Sequence, residues 1–277
     1  MNLKVTTLIE NTIGEHLALT AEHGISFLIE YQGTKILFDT GQSDAFIKNA
    51  EIMQLNLKDV NHIVLSHGHY DHSGGFPSMV DLTDRFKLWL GTGFFTPKYG
   101  KRNDSYEFLG NNFKEDFLQD HSIDYTFVKD DVTQIVPNIY IVTNFPRVNE
   151  NEVINPRFVL LEKDGFTADP FTDEVLIAID TPKGLVVLLG CSHPGMKNML
   201  DAVKKHFNKE IYAVLGGTHL VEANDVCLKE SLDYLKSGDI DIIGVSHCTG
   251  PNAMKQLSDM TSRYFHNRTG TSLFVEL

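Results

Sequence analysis

The chain has 277 residues, 42% hydrophobic and 22% charged, with a formal net charge of −13. That length is large for one domain but ordinary for a two-layered α/β enzyme, and 18 Phe with 9 Tyr provide material for a core, so disorder is not the default. A field this negative repels phosphate backbones, which excludes a general nucleic-acid binder.

Residues 1–10 carry one Lys and no apolar run with a cleavage site, and no stretch reaches the ~20 apolar residues that span a bilayer. Cys191, Cys227 and Cys248 are odd in number and widely spaced, which fits reduced thiols better than a disulfide framework. The expectation is a cytoplasmic protein with no membrane contact, folded as one domain over 1–277.

In chain order, short β-rich runs come first, at 3–9, 25–31, 35–38 and 63–65, with a hairpin turn expected at Gly33. Between the third and fourth, Asp39-Thr40-Gly41 leads into a helical pattern at 43–55, with Ser43 as N-cap and Phe46, Ile47 and Met53 on its apolar face. From about 91 to 156 the pattern loosens into aromatic, charged and Asn-rich sequence, expected to be a lid-like insertion. A decorated loop without a ligand is the equal alternative. Strands follow at 185–189, 211–215, 240–245 and 272–275, and two helices join the first three. Met196, Met199, Leu200, Val203 and Phe207 make one apolar helix face, and Leu228, Leu232 and Leu235 make another.

Four apolar strands each end in a small residue and a His: Ser66-His67, Ser192-His193, Thr218-His219 and Ser246-His247. Ligands gather beyond the carboxyl ends of strands in open α/β sheets, so these imidazoles are candidates to converge. The densest piece is His67-Gly68-His69-Tyr70-Asp71-His72. Imidazole and carboxylate suit zinc or a similar transition ion, and this run exceeds the local needs of one tetrahedral site, so two ions are expected. On an extended loop, alternation would turn His67 and His69 to one ion and Asp71 and His72 to a second.

The run His67 to His72, continued by Ser73-Gly74-Gly75, resembles the HxHxDH signature of the metallo-β-lactamase superfamily. Asp39-Thr40-Gly41 resembles that superfamily's early Asp turn, and His247 its late strand-end His. The resemblance implies an αββα sandwich. It assigns His67 and His69 to one ion, and Asp71, His72 and His247 to the other. At the place of the usual bridging carboxylate stand Gly190-Cys191, so either a thiolate replaces it or the bridge is missing; a small buried residue at a strand end is the bland reading of Cys191. His121 is the one His between His72 and His193, and it makes a poor third ligand. His193 is expected to supply the missing imidazole, with His219 in reserve, as a ligand or as a contact to substrate. Asp39 is expected to brace the His loop by hydrogen bonding rather than to bind metal. Cys248 is read as packing and Cys227 as structural.

Asn144-Phe145-Pro146-Arg147, 169–174, Gly190-Cys191-Ser192-His193, 216–220 and 247–250 resemble, within the superfamily, the subgroup described as dihydropteroate-synthase-like. That resemblance implies an anionic, ring-containing small-molecule substrate. Lys98, Lys101, Arg102 and Arg147, with Phe94, Phe95 and Tyr99, are a set that could clamp an anion and stack a ring. Thr249, at the start of a helical segment, is a further candidate contact to phosphate. Two divalent transition ions are expected, zinc first, with iron or manganese as alternatives. They would supply a metal-bound hydroxide, with Asp71 as catalytic residue. No other nucleophile motif competes. The leading reading is a metal-dependent hydrolase of a phosphorylated small molecule. The alternatives are a pterin-type transferase releasing pyrophosphate and a non-enzymatic metal or ligand sensor. Penicillin breakdown and a flavodiiron-type redox site are disfavoured, the latter because that branch carries Glu where this chain has His69.

Overall fold

The computed structural model describes residues 2–237 and 239–276. Its strands, in chain order, are β1 (Asn2–Ile9), β2 (Ser26–Tyr31), β3 (Thr34–Phe38), β4 (His62–Leu65), β5 (Lys87–Gly91), β6 (Lys98–Arg102), β7 (Ser105–Phe108), β8 (Asp124–Val128) and β9 (Val132–Val136). There follow β10 (Ile139–Val142), β11 (Phe158–Glu162), β12 (Gly165–Ala168), β13 (Leu176–Thr181), β14 (Gly184–Leu189), β15 (Ile211–Gly217), β16 (Ile242–Ser246) and β17 (Ser272–Glu276). The helices are α1 (Ala45–Ile52), α2 (Tyr70–Ser73), α3 (Phe76–Leu82), α4 (Glu115–Asp120), α5 (Met196–Phe207), α6 (Asp225–Ser237) and α7 (Pro251–Met260).

Contacts divide the chain into two compact units. The first comprises Met1–Val128, Pro156–Asp173 and Arg268–Leu277. Its seven-stranded sheet runs β17-β1-β2-β3-β4-β5-β8, antiparallel from β17 to β3 and parallel from β3 to β8. The β2–β3 hairpin turns at Gln32 and Gly33, both with positive φ, the backbone that a two-residue turn between twisted strands requires. Leu28, Leu37, Ile63, Leu65, Leu88 and Leu90 alternate along the sheet onto one apolar face, and Phe46, Phe76 and Met79 of α1 and α3 cover it. A separate four-stranded sheet, β12-β11-β6-β7, belongs to the same unit.

The second unit comprises Lys129–Asn155 and Glu174–Asn267. Its sheet runs β16-β15-β14-β13-β10-β9, with β14, β15 and β16 parallel. Parallel neighbours need crossovers, and α5 and α6 supply them. Met196, Met199, Leu200 and Val203 of α5, with Leu232 and Leu235 of α6, close the core over β14 and β15.

Three local expectations are corrected. The first helix starts at Ala45 with Asp44 as N-cap; Ser43 sits one residue earlier, where its Oγ accepts the Ala45 N–H at 3.1 Å. The strand expected at 240–245 begins at Ile242 and runs to Ser246, while Ile240 is buried in the core before it. The 91–156 stretch is not irregular: it carries β6 to β10 and α4, shared among all three sheets. Of these, β6, β7 and β8 are rich in aromatic and charged residues and partly or wholly exposed, so they lack the apolar pattern that marks a strand in sequence.

Candidate metal centre

In the first unit β4 ends at Leu65, and the His loop leaves its carboxyl end. Ser66 is fully buried and fastened by the Asp39 carboxylate, which accepts the Ser66 N–H and hydroxyl, each at 2.7 Å. The same carboxylate lies 2.6 Å from His72 Nδ1. Asp39 itself has φ +59°, a left-handed conformation that Asp tolerates better than most residues. Thr40 accepts none of this load but pins the far end, its N–H and hydroxyl donating to the His72 carbonyl at 2.7 and 3.0 Å.

The loop delivers a donor set suited to a transition ion. Ser66 Oγ is 2.9 Å from His67 Nδ1, which turns His67 Nε2 to within 3.0 Å of His69 Nδ1. Nitrogens that share one ion at about 2.0–2.1 Å each lie close to that separation. Asp39 on His72 Nδ1 leaves Nε2 as the nitrogen that could hold a metal, 3.7 Å from Asp71 Oδ2. Burial, then the neighbouring His72 and His69, hold His67 well below its usual pKa, so it stays in the neutral form that ligates. Three imidazoles and a carboxylate, all buried, fit zinc, iron or manganese better than calcium or magnesium.

Two groups beneath and beside the loop escaped the sequence reading. His23 Nε2 lies 3.2 Å from Asp71 Oδ2, with about half its side chain in solvent. A lone His before a strand gives no signal. Asp173 Oδ2 accepts the Gly68 N–H at 2.8 Å and its Oδ1 accepts from Lys98 Nζ at 3.0 Å, while Asp169 accepts from the same ammonium at 2.7 Å. Both acids lie in the 169–174 segment that carried the subgroup resemblance, so a signal for them existed.

Lys98 therefore departs from the expected anion clamp. It is 2% exposed, its charge already matched by two carboxylates. Burial alone would lower its pKa, but Asp173 and Asp169 hold it above the usual value. Phe94 is fully buried in the core, and Phe95 and Tyr99 pack edge-to-face against other aromatics of the protein. Lys101 and Arg102 remain exposed on β6.

In the second unit the strand-end residues occupy three parallel strands. The buried Glu174 carboxylate, also unassigned by sequence, accepts the Ser192 N–H at 2.5 Å and the His193 N–H at 2.9 Å. Arg147 is exposed, with Nη1 donating to the His193 carbonyl at 3.4 Å. The His193 and His219 rings are 4.3 Å apart, and a small pocket of about 50 Å³ opens onto both. His219 Nε2 is 3.2 Å from Glu222. Although burial would depress it, Cys248 and Glu222 push the His219 pKa up to about 9. The ligand-type atoms of Cys191, His219 and Cys248 lie within 4.8 Å of one another. His247 is buried directly after β16, with φ +54°. Thr249 corrects a second expectation. It is fully buried, and its hydroxyl lies 3.2 Å from the Thr218 N–H and 3.0 Å from the Thr218 hydroxyl, so it ties loops rather than facing phosphate.

Comparison with known proteins agrees with this architecture. Residues 19–85 match the metallo-β-lactamase superfamily signature. The chain is 30% identical over 267 residues to the 7,8-dihydropterin-6-methyl-4-(β-D-ribofuranosyl)-aminobenzene-5′-phosphate synthase of Methanocaldococcus jannaschii, covering 90% of this chain and 88% of the relative. It is 31% identical to an uncharacterized protein of the same archaeon, covering 93% and 95%. Among solved structures it resembles Tm1679, a metal-dependent hydrolase of the β-lactamase superfamily, with a TM-score of 0.84, 27% identity and 98% of each chain covered.

Proposed function

The chain belongs to the metallo-β-lactamase superfamily, and we propose that within it the protein is a metal-dependent hydrolase of a phosphorylated, ring-containing small molecule. The observation that carries this reading is the braced run of His67, His69, Asp71 and His72, held in ligating orientation by Asp39 and Ser66. His193 and His247 enter the proposal through the superfamily pattern. Bound divalent ions supply a lowered water pKa and draw charge from a substrate oxygen. Zinc suits the donors, with iron and manganese as alternatives.

The protein's own residues then have three tasks. Asp71 holds or accepts a proton at Oδ2, and His23, in contact with that oxygen and with solvent, passes it outward. Phe158 and Phe171 pack at 5.6 and 5.5 Å from the His69 ring and keep bulk water off its flank. The exposed Lys101, Arg102 and Arg147 meet the anionic substrate.

A second reading, a pterin-type transferase that releases pyrophosphate, is favoured by the 30% identity to the archaeal synthase. One experiment separates the two. The protein is purified without chelators, its metal content is measured, and wild type, His67→Ala and Asp71→Asn are assayed on phosphodiesters, phosphomonoesters and dihydropterin pyrophosphate with an aminobenzene acceptor. Metal-dependent ester cleavage, lost in both variants, supports the hydrolase. Condensation with the acceptor replaces it with the transferase, and wild type without a bound transition metal overturns both.

A further inference from the structure

The second unit repeats one placement three times. β14 ends at Leu189, β15 at Gly217 and β16 at Ser246, and two residues beyond each end stand Cys191, His219 and Cys248. The three strands are parallel neighbours in register, Leu189 opposite Gly216 and Gly217 opposite Ser246. Equal offsets from adjacent ends of a parallel sheet therefore bring two thiols and an imidazole to one edge.

The loops that carry them are bolted to each other. The Gly217 N–H donates to the Gly190 carbonyl at 2.9 Å, Ser192 Oγ to the Gly217 carbonyl at 2.8 Å, and the Thr218 N–H to Thr249 Oγ1 at 3.2 Å. The Cys248 thiol donates to the Cys191 carbonyl at 3.5 Å and accepts the His219 N–H at 3.3 Å. Gly217 makes room for it: a Cβ there would lie 2.5 Å from Cys248 Sγ. His219 is held at φ +50°, a conformation that costs a non-glycine residue on the order of 1 kcal/mol and persists only where the surroundings impose it.

We propose that Cys191, His219 and Cys248 form a thiolate site for a thiophilic divalent ion of the zinc class. Their ligand atoms lie within 4.8 Å of one another. Around one tetrahedral zinc, with Zn–S about 2.3 Å and Zn–N about 2.0 Å, such atoms sit roughly 3.5 Å apart. Closure from that upper bound takes at most roughly 1.3 Å, within reach of side-chain rotation. Glu222 lies 3.2 Å from His219 Nε2, the carboxylate partner that metal-bound imidazoles ordinarily lean on, which makes Nδ1 the ligating atom. The pocket bounded by Glu152, His193 and Thr218 reaches the set at His219, the one member of the three on its wall. On binding, any proton still held by either thiol or by His219 Nδ1 leaves to solvent, metal–sulfur and metal–nitrogen bonds form, and no electron is transferred.

Chain-wide metal exchange tests this without any activity assay. Zinc-loaded wild type should show a sulfur shell at about 2.3 Å in X-ray absorption, and cobalt-loaded wild type a thiolate-to-cobalt charge-transfer band in the near ultraviolet. Cys248→Ser should lose one zinc equivalent per chain and the greater part of that band, and Cys191→Ser the same. His67→Ala and Asp71→Asn should keep the band, so the thiolate site and the hydrolase reading can fail separately. A band untouched by Cys248→Ser overturns the proposal, because it leaves Cys191 as a ligand of some other centre. Should Cys248→Ser fail to fold, wild type decides: no sulfur shell in the zinc-loaded protein sinks the site.

Discussion

The two units prepare metal-type side chains by opposite means. In the first, the donors come as one contiguous run, His67 to His72, and side-chain carboxylates hold it: Asp39 from one side and Asp173, steadied by Lys98, from another. In the second, each donor comes from a different strand, and backbone register with short loop-to-loop hydrogen bonds does the positioning. A loop braced by charge is vulnerable to the loss of one charge, whereas a cluster braced by register is vulnerable to volume. The difference sets which substitutions should damage each unit.

The largest effect should come from Lys98→Met. It leaves Asp169 and Asp173 buried without their cation, and breaking a buried pair from one side costs about 3–5 kcal/mol. Thermal melting should drop accordingly. Burial already lifts the pKa of Asp169 above its usual value against the pull of Lys98, and without Lys98 it rises further. A carboxyl whose folded pKa exceeds its unfolded one loses stability as pH rises through the folded value. The Lys98→Met deficit should thus be smallest at acid pH and full at neutral pH. A pH-independent deficit would mean that the ion pair is not what holds this region.

Asp39→Asn should come next. Asn tolerates the same left-handed backbone, so the change isolates the carboxylate, which serves two Ser66 donors and His72 Nδ1. Partners that orient metal-bound imidazoles are worth about 10–100-fold in metal affinity. Metal titration should show a loss of that size, together with roughly 1–3 kcal/mol of stability. Unchanged affinity would remove Asp39 from the bracing of the loop.

These two residues also show why the sequence was half-legible. The His run and Asp39 sit close to a strand end in a short, dense motif, so both ligand chemistry and its brace can be read from the chain. Lys98 could not be placed that way: its neighbours in sequence, Lys101 and Arg102, are exposed cations, and its burial depends on Asp169 and Asp173, some seventy residues on. Thr249 misled for a similar reason, since its partner Thr218 reaches it only through the pairing of β15 with β16. Strands such as β7, β8 and β9 were missed because their faces are wet or half-wet, which removes the continuous apolar run that marks β14 to β16.

Gly217→Ala probes the unit that register holds. The new methyl would meet Cys248 Sγ and the Gly190 carbonyl, each at 2.5 Å, and overpacking of this kind costs about 1–3 kcal/mol. It should also disturb thiol reactivity at Cys248 while leaving the His67 loop's metal affinity near wild type. Equal damage to that affinity would contradict the separation between charge-braced and register-braced donors.

The smallest effect on stability should come from Lys101→Ala and Arg102→Ala. Both side chains are exposed on β6, and surface changes of this sort stay within about 0.5 kcal/mol. If they meet an anionic substrate, their cost appears in KM rather than kcat, because a cation that contacts a remote phosphate binds ground state and transition state alike. Raising the ionic strength should shrink the difference between variant and wild type, since exposed charges are screened beyond about 8–10 Å. A kcat effect that survives high salt would instead place β6 in the chemistry, and the carboxylate-held loop would no longer account for it by itself.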